Sequence, residues 1–285
     1  MGKVGCQVQE PIHGGQKREW RLLDVSATPL TGEAGLPFAI EEQECERVGA
    51  GAPPLLHIWR HQRALILGLR DRKLPFAEQA MADFRQDGWS VTVRSSGGAA
   101  VPLDDGVVNV SMVLPGRIGM ANLHEDFAAM ARLIRAAVQQ LSASSDVRTG
   151  EIEGAYCPGE YDLSIGGVKF CGIAQRRRLG AYTVQAFVVV EGLGAVRAAA
   201  ADRFYTLASG GRDMPSALKV TPHSTQSLQQ LLGSGITVAS FVNAIKQVQL
   251  GDTRPISEAI TYNDYDEQRL NELIHAMQIK YDTTK

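Results

Sequence analysis

Apolar residues repeat along this chain with two periods, one near 3.6 and one of 2. Over residues 122–141, Leu123, Phe127, Met130, Ile134, Val138 and Leu141 step by three or four and lie on one stripe, which predicts an amphipathic helix. Asn122 with Glu125 three positions on resembles an N-terminal cap for it. Residues 37–48 predict a second helix, with Pro37 suited to the first turn and Phe38, Glu41, Glu42 and Cys45 at helical spacing. Residues 75–88 predict a third, stopped by Gly88. Four more are expected late in the chain, at 196–208, 224–232, 237–250 and 265–281.

Short apolar runs rich in β-branched residues predict strands at 21–26, 55–60, 64–69, 89–94, 107–113, 161–165, 168–174 and 182–191. Gly166-Gly167 reads as a short hairpin connection. Residues 49–54 and 95–106, dense in glycine and proline, read as loops. Blocks of strands separated by one long helix indicate an α+β fold with a mixed, largely antiparallel sheet packed with helices. The expected organisation is a flexible leader over 1–20, one domain over 21–250, and a helical C-terminal extension over 251–285.

Composition narrows the function classes. The net charge of −2 lacks the basic excess that phosphate backbones demand, so nucleic acid is not an expected partner. No run approaches 18 apolar residues, so no membrane span is expected. The polar, glycine-rich beginning has no apolar signal core, which makes the cytoplasm the expected location. Cysteines at 6, 45, 157 and 171 follow no Cys-x-x-Cys pattern, and the histidines do not cluster with them. Free thiols are expected, with no disulfide framework and no metal site.

Cys157 carries the most chemistry. A lone cysteine is more often inert core, but Pro158 and Gly159 place this one at a bend, where a side chain faces a cleft more readily than from mid-strand. Cys45, on an apolar helical face, and Cys171, in a strand, have blander settings. Lys169 is the second candidate. Lysines are normally solvated, yet this one stands in a strand between Val168 and Phe170, just past the hairpin turn. An ammonium near Cys157 would favour thiolate, and would stabilise negative charge on an acyl oxygen. The third candidate is the segment Arg94-Ser95-Ser96-Gly97-Gly98-Ala99. Its double glycine lets backbone amides approach an anion or a carbonyl oxygen, and the alternative is an ordinary turn. Asp104-Asp105-Gly106 reads equally as a turn into the next strand, and Arg176-Arg177-Arg178 as a solvated loop or as a docking site for an acidic protein.

Together these segments resemble the biotin/lipoate ligase and lipoyl/octanoyl transferase superfamily. Arg94-Ser95-Ser96-Gly97-Gly98-Ala99-Ala100-Val101 is similar to its Arg-x-x-Gly-Gly-Gly/Ala-x-Val loop, Asn109-Val110-Ser111 to its Asn-x-Ser strand, and Gly167-Val168-Lys169-Phe170-Cys171-Gly172-Ile173-Ala174-Gln175 to its Gly-Lys-Lys-x-x-Gly-x-x-Gln segment. The three motifs occur in the family's order within roughly residues 20–250. Tyr156-Cys157-Pro158-Gly159, Tyr161-Asp162-Leu163-Ser164-Ile165 and Ala174-Gln175-Arg176-Arg177 resemble the amidotransferase branch, the octanoyl-[glycine cleavage H protein]:protein N-octanoyltransferases. ATP-using lipoate ligases carry a histidine-containing segment where Val101-Pro102-Leu103-Asp104 stands here, which argues against adenylation. Val168 replaces the first of the family's paired lysines, and Cys171 stands where alanine or serine is usual.

The resemblance implies a biotin/lipoate A/B protein ligase-like fold and an acyltransferase. It implies Cys157 as nucleophile and Lys169 as the pocket lysine. Arg94, Ser95, Ser96, Gly97, Gly98, Ala99, Gly172, Ala174 and Gln175 would line the acyl site. The implied donor is octanoylated glycine cleavage H protein, and the implied acceptors are lipoyl domains of 2-oxo acid dehydrogenase complexes. No cofactor is implied, because exchanging one amide for another needs no ATP. Transfer from octanoyl-acyl carrier protein, lipoate ligation and a non-catalytic binding module are the alternatives.

Overall fold

The computed structural model describes residues 19–116, 123–178, 180–212, 215, 218–251 and 256–279. Eleven strands and seven α-helices are assigned among them. In chain order they begin with β1 (Trp20–Asp24), α1 (Leu36–Gly49), β2 (Leu55–Trp59), β3 (Arg63–Leu67), α2 (Ala77–Gln86), β4 (Ser90–Val93), β5 (Val101–Asp104), β6 (Val107–Pro115) and α3 (Leu123–Leu141). Then come β7 (Val147–Thr149), β8 (Leu163–Ile165), β9 (Val168–Arg178), β10 (Ala181–Val189), α4 (Gly194–Ser209), α5 (Leu228–Leu232), α6 (Val238–Leu250), β11 (Ile256–Ala259) and α7 (Glu267–Met277).

The expected α+β class is what forms. Eight strands make one sheet in the order β11-β1-β2-β6-β10-β9-β8-β7, and β4-β3-β5 make a second, small sheet. Both are mixed. β1 pairs parallel with β11 and β2, and β3 parallel with β4, while the remaining pairs are antiparallel. The large sheet is covered on both faces, so β2 is buried at every position and shows no alternation. On one face Leu56, Ile58, Val110 and Met112 pack with Met130, Ile134 and Val138 of α3 and Phe241 and Ile245 of α6. On the other, Leu55 and Val113 pack with Ile40, Cys45 and Val48 of α1 and Leu270 of α7. The small sheet is backed by Met81 and Phe84 of α2 and Phe204 and Tyr205 of α4.

Local chemistry explains several boundaries. Pro37 sits in the first turn of α1. Ser227 with Gln230, and Thr237 with Ser240, close capping boxes at the starts of α5 and α6. Gly166 and Gly167 have φ of +59° and +80°, the pair of positive values that a tight two-residue hairpin turn demands.

Two expectations need correction, and one strand was not expected. Residues 95–106 are not all loop, because Val101–Asp104 is strand β5. Pro102 had argued for loop, but it stands in an edge strand, where a missing N–H costs no ladder bond. The 251–285 stretch is not only helical, since β11 extends the large sheet from β1. The short β7, three residues paired with β8, carried too little pattern to be seen. Asn122, and residues 1–18 of the leader, lie outside the described residues.

Candidate active site

Two chain crossings between the sheets create the site. The chain leaves β2 of the large sheet for β3 of the small one, and returns from β5 to β6 through Asp105-Gly106. Asp104 accepts from the Gly106 N–H at 2.9 Å and from Arg197, so this segment is a turn. Between the sheets lies a partly open cleft. Trp59, Phe187 and Ala186 wall it from the large sheet, Ile66, Val101 and Leu103 from the small one, and Phe38 from α1. Cys157 and Arg94 line it as well. A small, mostly apolar cleft with a few polar groups suits one acyl chain.

Cys157 lies in the 150–162 connection between β7 and β8. It is the one non-glycine among the described residues with positive φ, +50°. L-residues pay a steric cost in that region, so a left-handed cysteine is held there by its surroundings. The loop is tied down by Gly154, whose carbonyl accepts from the Thr221 N–H at 2.8 Å and the Ser224 hydroxyl at 2.7 Å.

The glycine loop meets the sulfur directly. The Ala99 N–H donates to Cys157 Sγ at 3.3 Å, and Arg94 Nη2 lies 3.6 Å from it. The buried guanidinium of Arg94 also gathers the loop around itself, donating to Gly97 O at 3.1 Å, Ala99 O at 2.9 Å and Ile66 O at 3.3 Å. Gly98 has φ +99°, and a Cβ there would stand 2.5 Å from Arg94 Nη2 and 2.9 Å from Cys157 Sγ. The cation beside the thiol is therefore Arg94.

Lys169 does not act on the sulfur in this arrangement. It is fully buried, and its ammonium donates to Tyr156 O at 3.0 Å and Cys157 O at 2.5 Å and pairs with Asp162 Oδ2 at 2.7 Å. Those three contacts use all three of its protons. Burial is the main pressure on Asp162 and pushes its carboxyl up to about pKa 6, although Lys169 and the Gly159 N–H pull the other way.

The remaining expected residues separate. Gly172 and Ala174 line the cleft, and a Cβ on Gly172 would meet the Phe187 ring at 2.4 Å. Ser95, Ser96 and Gly97 line instead a second cavity, bounded also by Gly98, Ala99, Pro158, Leu69 and Arg70. Gln175 turns away from both and donates to Asp126 of α3 at 2.9 Å. The arginine triplet is neutralised internally. Arg176 and Arg178 pair with Glu42, Arg178 also with Glu46, and Arg177 with Asp126, which leaves the docking reading without free charge. Sequence reasoning missed Phe187, Trp59 and Asp162. The last had a signal, because a lysine in a strand needs a buried acid and Asp162 directly precedes the strand that pairs with it.

The other described cysteines have the inert character expected of core thiols. Burial pushes Cys45 up to about pKa 11, and raises Cys171 further. Among the described residues no group of three or more His, Cys, Asp or Glu side chains could hold a metal ion, and no helix is long and apolar enough to cross a membrane.

Comparison with known proteins gives the family and the fold. Octanoyl-[GcvH]:protein N-octanoyltransferase of Anoxybacillus flavithermus is 38% identical over 229 residues, 80% of this chain and 82% of that protein. The protein of the same name from Geobacillus kaustophilus is 40% identical, with 80% of each chain covered. Lipoyl-[GcvH]:protein N-lipoyltransferase of Listeria monocytogenes is 34% identical, covering 77% of this chain and 79% of that one. Among solved structures, a putative lipoate protein ligase from Thermoplasma acidophilum superposes with a TM-score of 0.65 at 21% identity, over 93% of this chain and 97% of that one, which shows the shared fold. Residues 33–249 match the lipoyl protein ligase A/B catalytic domain, and the chain belongs to that family.

Proposed function

We propose that this chain is an octanoyl amidotransferase. It takes an octanoyl group from the lipoyl lysine of glycine cleavage H protein, holds it as a thioester on Cys157, and delivers it to the lipoyl lysine of 2-oxo acid dehydrogenase acyltransferase subunits. The observation that carries this reading is the sulfur at the wall of a mostly apolar cleft, in contact with the Ala99 N–H and the Arg94 guanidinium. The relatives' names support the donor.

In the first half-reaction Cys157 Sγ attacks the amide carbonyl of the donor. The S–C bond forms, the C–N bond breaks, and the thiol proton ends on the departing lysine amine. Negative charge gathers on the carbonyl oxygen meanwhile. The Ala99 N–H and Arg94 stand beside the attacking atom and supply donors for that oxygen, each worth about 3 kcal/mol if well placed. In the second half the acceptor amine attacks the thioester and returns the proton to sulfur. An amide is consumed and an amide is made, so the reaction is close to balanced and reversible without ATP.

The lining of the cleft is apolar apart from Cys157, Arg94, Asn109, Ser111 and Gln185, a character that suits a saturated acyl chain. The name of the Listeria relative favours lipoyl transfer as a second reading, so lipoylated H protein is a donor worth testing beside the octanoylated one.

The test is intact-protein mass spectrometry after mixing with octanoylated H protein, without ATP. One octanoyl mass on the wild type, labile to hydroxylamine and missing in Cys157→Ala, is expected. Loading only by octanoyl-acyl carrier protein would replace the amidotransferase with a direct transferase, and no adduct from either donor would leave a binding module.

A further inference from the structure

We infer that Asp162 is a positioning residue for the reaction: its carboxylate anchors the Lys169 ammonium, and that ammonium grips the two backbone carbonyls that set the bend of Cys157. This inference rests on Cys157 being the nucleophile.

The chain of contacts is short and closed. Asp162 Oδ2 holds Lys169 Nζ at 2.7 Å, with both side chains almost wholly out of solvent. Lys169 spends its other two protons on Tyr156 O and Cys157 O, the carbonyls immediately before and after the Cys157 Cα. Pulling both toward one cation opposes the steric cost of φ +50°. The same carboxylate accepts from the Gly159 N–H at 3.1 Å, and the Asp162 N–H donates to Gly159 O at 3.0 Å, so it closes the loop on the far side of the cysteine as well.

The main chain of Lys169 cannot drift to compensate. Lys169 pairs with Ser164 across the β8–β9 hairpin, its N–H donates to Ser224 O at 2.9 Å, and its C=O accepts from the Gln226 N–H at 2.9 Å. The ammonium is thus delivered to one point in space. Without a counter-charge there, a buried ammonium is unfavourable and loses its proton or its place. In either case the two carbonyls lose their shared donor. The sulfur then leaves the Ala99 N–H, since that 3.3 Å contact depends on the bend.

The groups facing Asp162 are few. Lys169 and Cys171 come from β9, and buried Tyr156 and exposed Glu151 from its own connection. Neither Tyr156 nor Cys171 ionises near neutrality, because burial raises both. With Glu151 in solvent, Asp162, near pKa 6, is the buried carboxyl placed to impose an acid limb on loading.

The test is the rate of Cys157 loading from octanoylated H protein, followed by intact mass between pH 5 and 8. Wild type, Asp162→Asn, Lys169→Met and the double variant are compared. Asp162→Asn is expected to load at least 30-fold more slowly at pH 7.5 and to lose the limb near pH 6. Because Asp162→Asn could leave an unpaired buried ammonium that weakens folding, the double variant, which removes both charges, is the control. It is expected to load no more slowly than Lys169→Met alone, within about twofold, because Asp162 acts only through Lys169. Wild-type-like loading by Asp162→Asn, an unchanged acid limb, or additive losses in the double variant would overturn the inference. If the wild type itself never loads, the nucleophile reading fails first and this one falls with it.

Discussion

At the residue scale, the proposed chemistry turns on where one sulfur atom sits. Cys157 is no more buried than many core cysteines, but its neighbours are a backbone N–H and a guanidinium instead of aliphatic carbon. Gly98 makes that contact possible. Gly98→Ala forces a Cβ into Arg94 and Cys157 at a φ of +99°, so we expect loading to fall at least tenfold, by intact mass. Its stability should drop by at least about 1–2 kcal/mol, the cost of a left-handed non-glycine residue before the clash is added. Titration of Asp162 makes a second prediction, with a definite sign. Its carboxyl is raised from 3.8 to about 6 in the fold, so the folded protein binds this proton more tightly than the unfolded chain. Between about pH 4 and 6, therefore, this group adds stability as pH falls and loses it as pH rises. Loading should decline as pH falls through 6 while the thermal midpoint shows no matching loss from this residue. Parallel pH series of loading rate and melting temperature check it.

At the element scale, the hairpin β8–β9 and the glycine loop after β4 act as two jaws. Lys169 and Gly172 come from one strand, two positions of which do different work: Lys169 reaches the cysteine loop, and Gly172 leaves room for the Phe187 ring on β10. Gly172→Ala would place a Cβ 2.4 Å from that ring and push it into the cleft. We expect the ratio of hexanoyl to octanoyl loading to rise about fivefold or more, as roughly one to two methylenes of length are lost at about 0.8 kcal/mol each. Loading rates for the two chain lengths decide it. The helices that back the sheet respond differently. Thr237→Ala removes the side-chain cap that receives the Ser240 N–H at the start of α6, and should cost about 1 kcal/mol with no change in loading once folded. Urea denaturation measures the first and intact mass the second.

At the scale of the whole molecule, both ends of the described chain meet on α1. Glu44 is fully buried, pairs with Arg21 of β1, accepts from Tyr265 Oη at 2.8 Å, and contacts Arg47 at 3.2 Å. Three segments far apart in sequence share one carboxylate. Glu44→Ala leaves Arg21 buried without its partner, and about 3–5 kcal/mol of stability should be lost, read from the urea midpoint. The same helix explains why the arginine triplet is no docking surface, since Glu42 and Glu46 already neutralise Arg176 and Arg178. Glu41, Glu42 and Glu44 are all buried, and it is the packing of α1 on the sheet that turns these carboxylates inward.

Periodicity was enough for α3, the glycine pair was enough for the β8–β9 turn, and Pro158-Gly159 was enough to single out Cys157, because each is a signal between near neighbours in the chain. Motif order also made the family legible. Proximity across the fold was a different matter. That Arg94 and not Lys169 touches the sulfur, that Asp162 holds Lys169, that Gln175 faces α3, and that Pro102 lies in an edge strand all depend on strand register and on which sheet each strand joins. Register is set by many weak side-chain contacts acting together, between residues up to more than two hundred positions apart. Local sequence therefore named the chemical groups of this protein, and only the closed tertiary structure decided which of them meet.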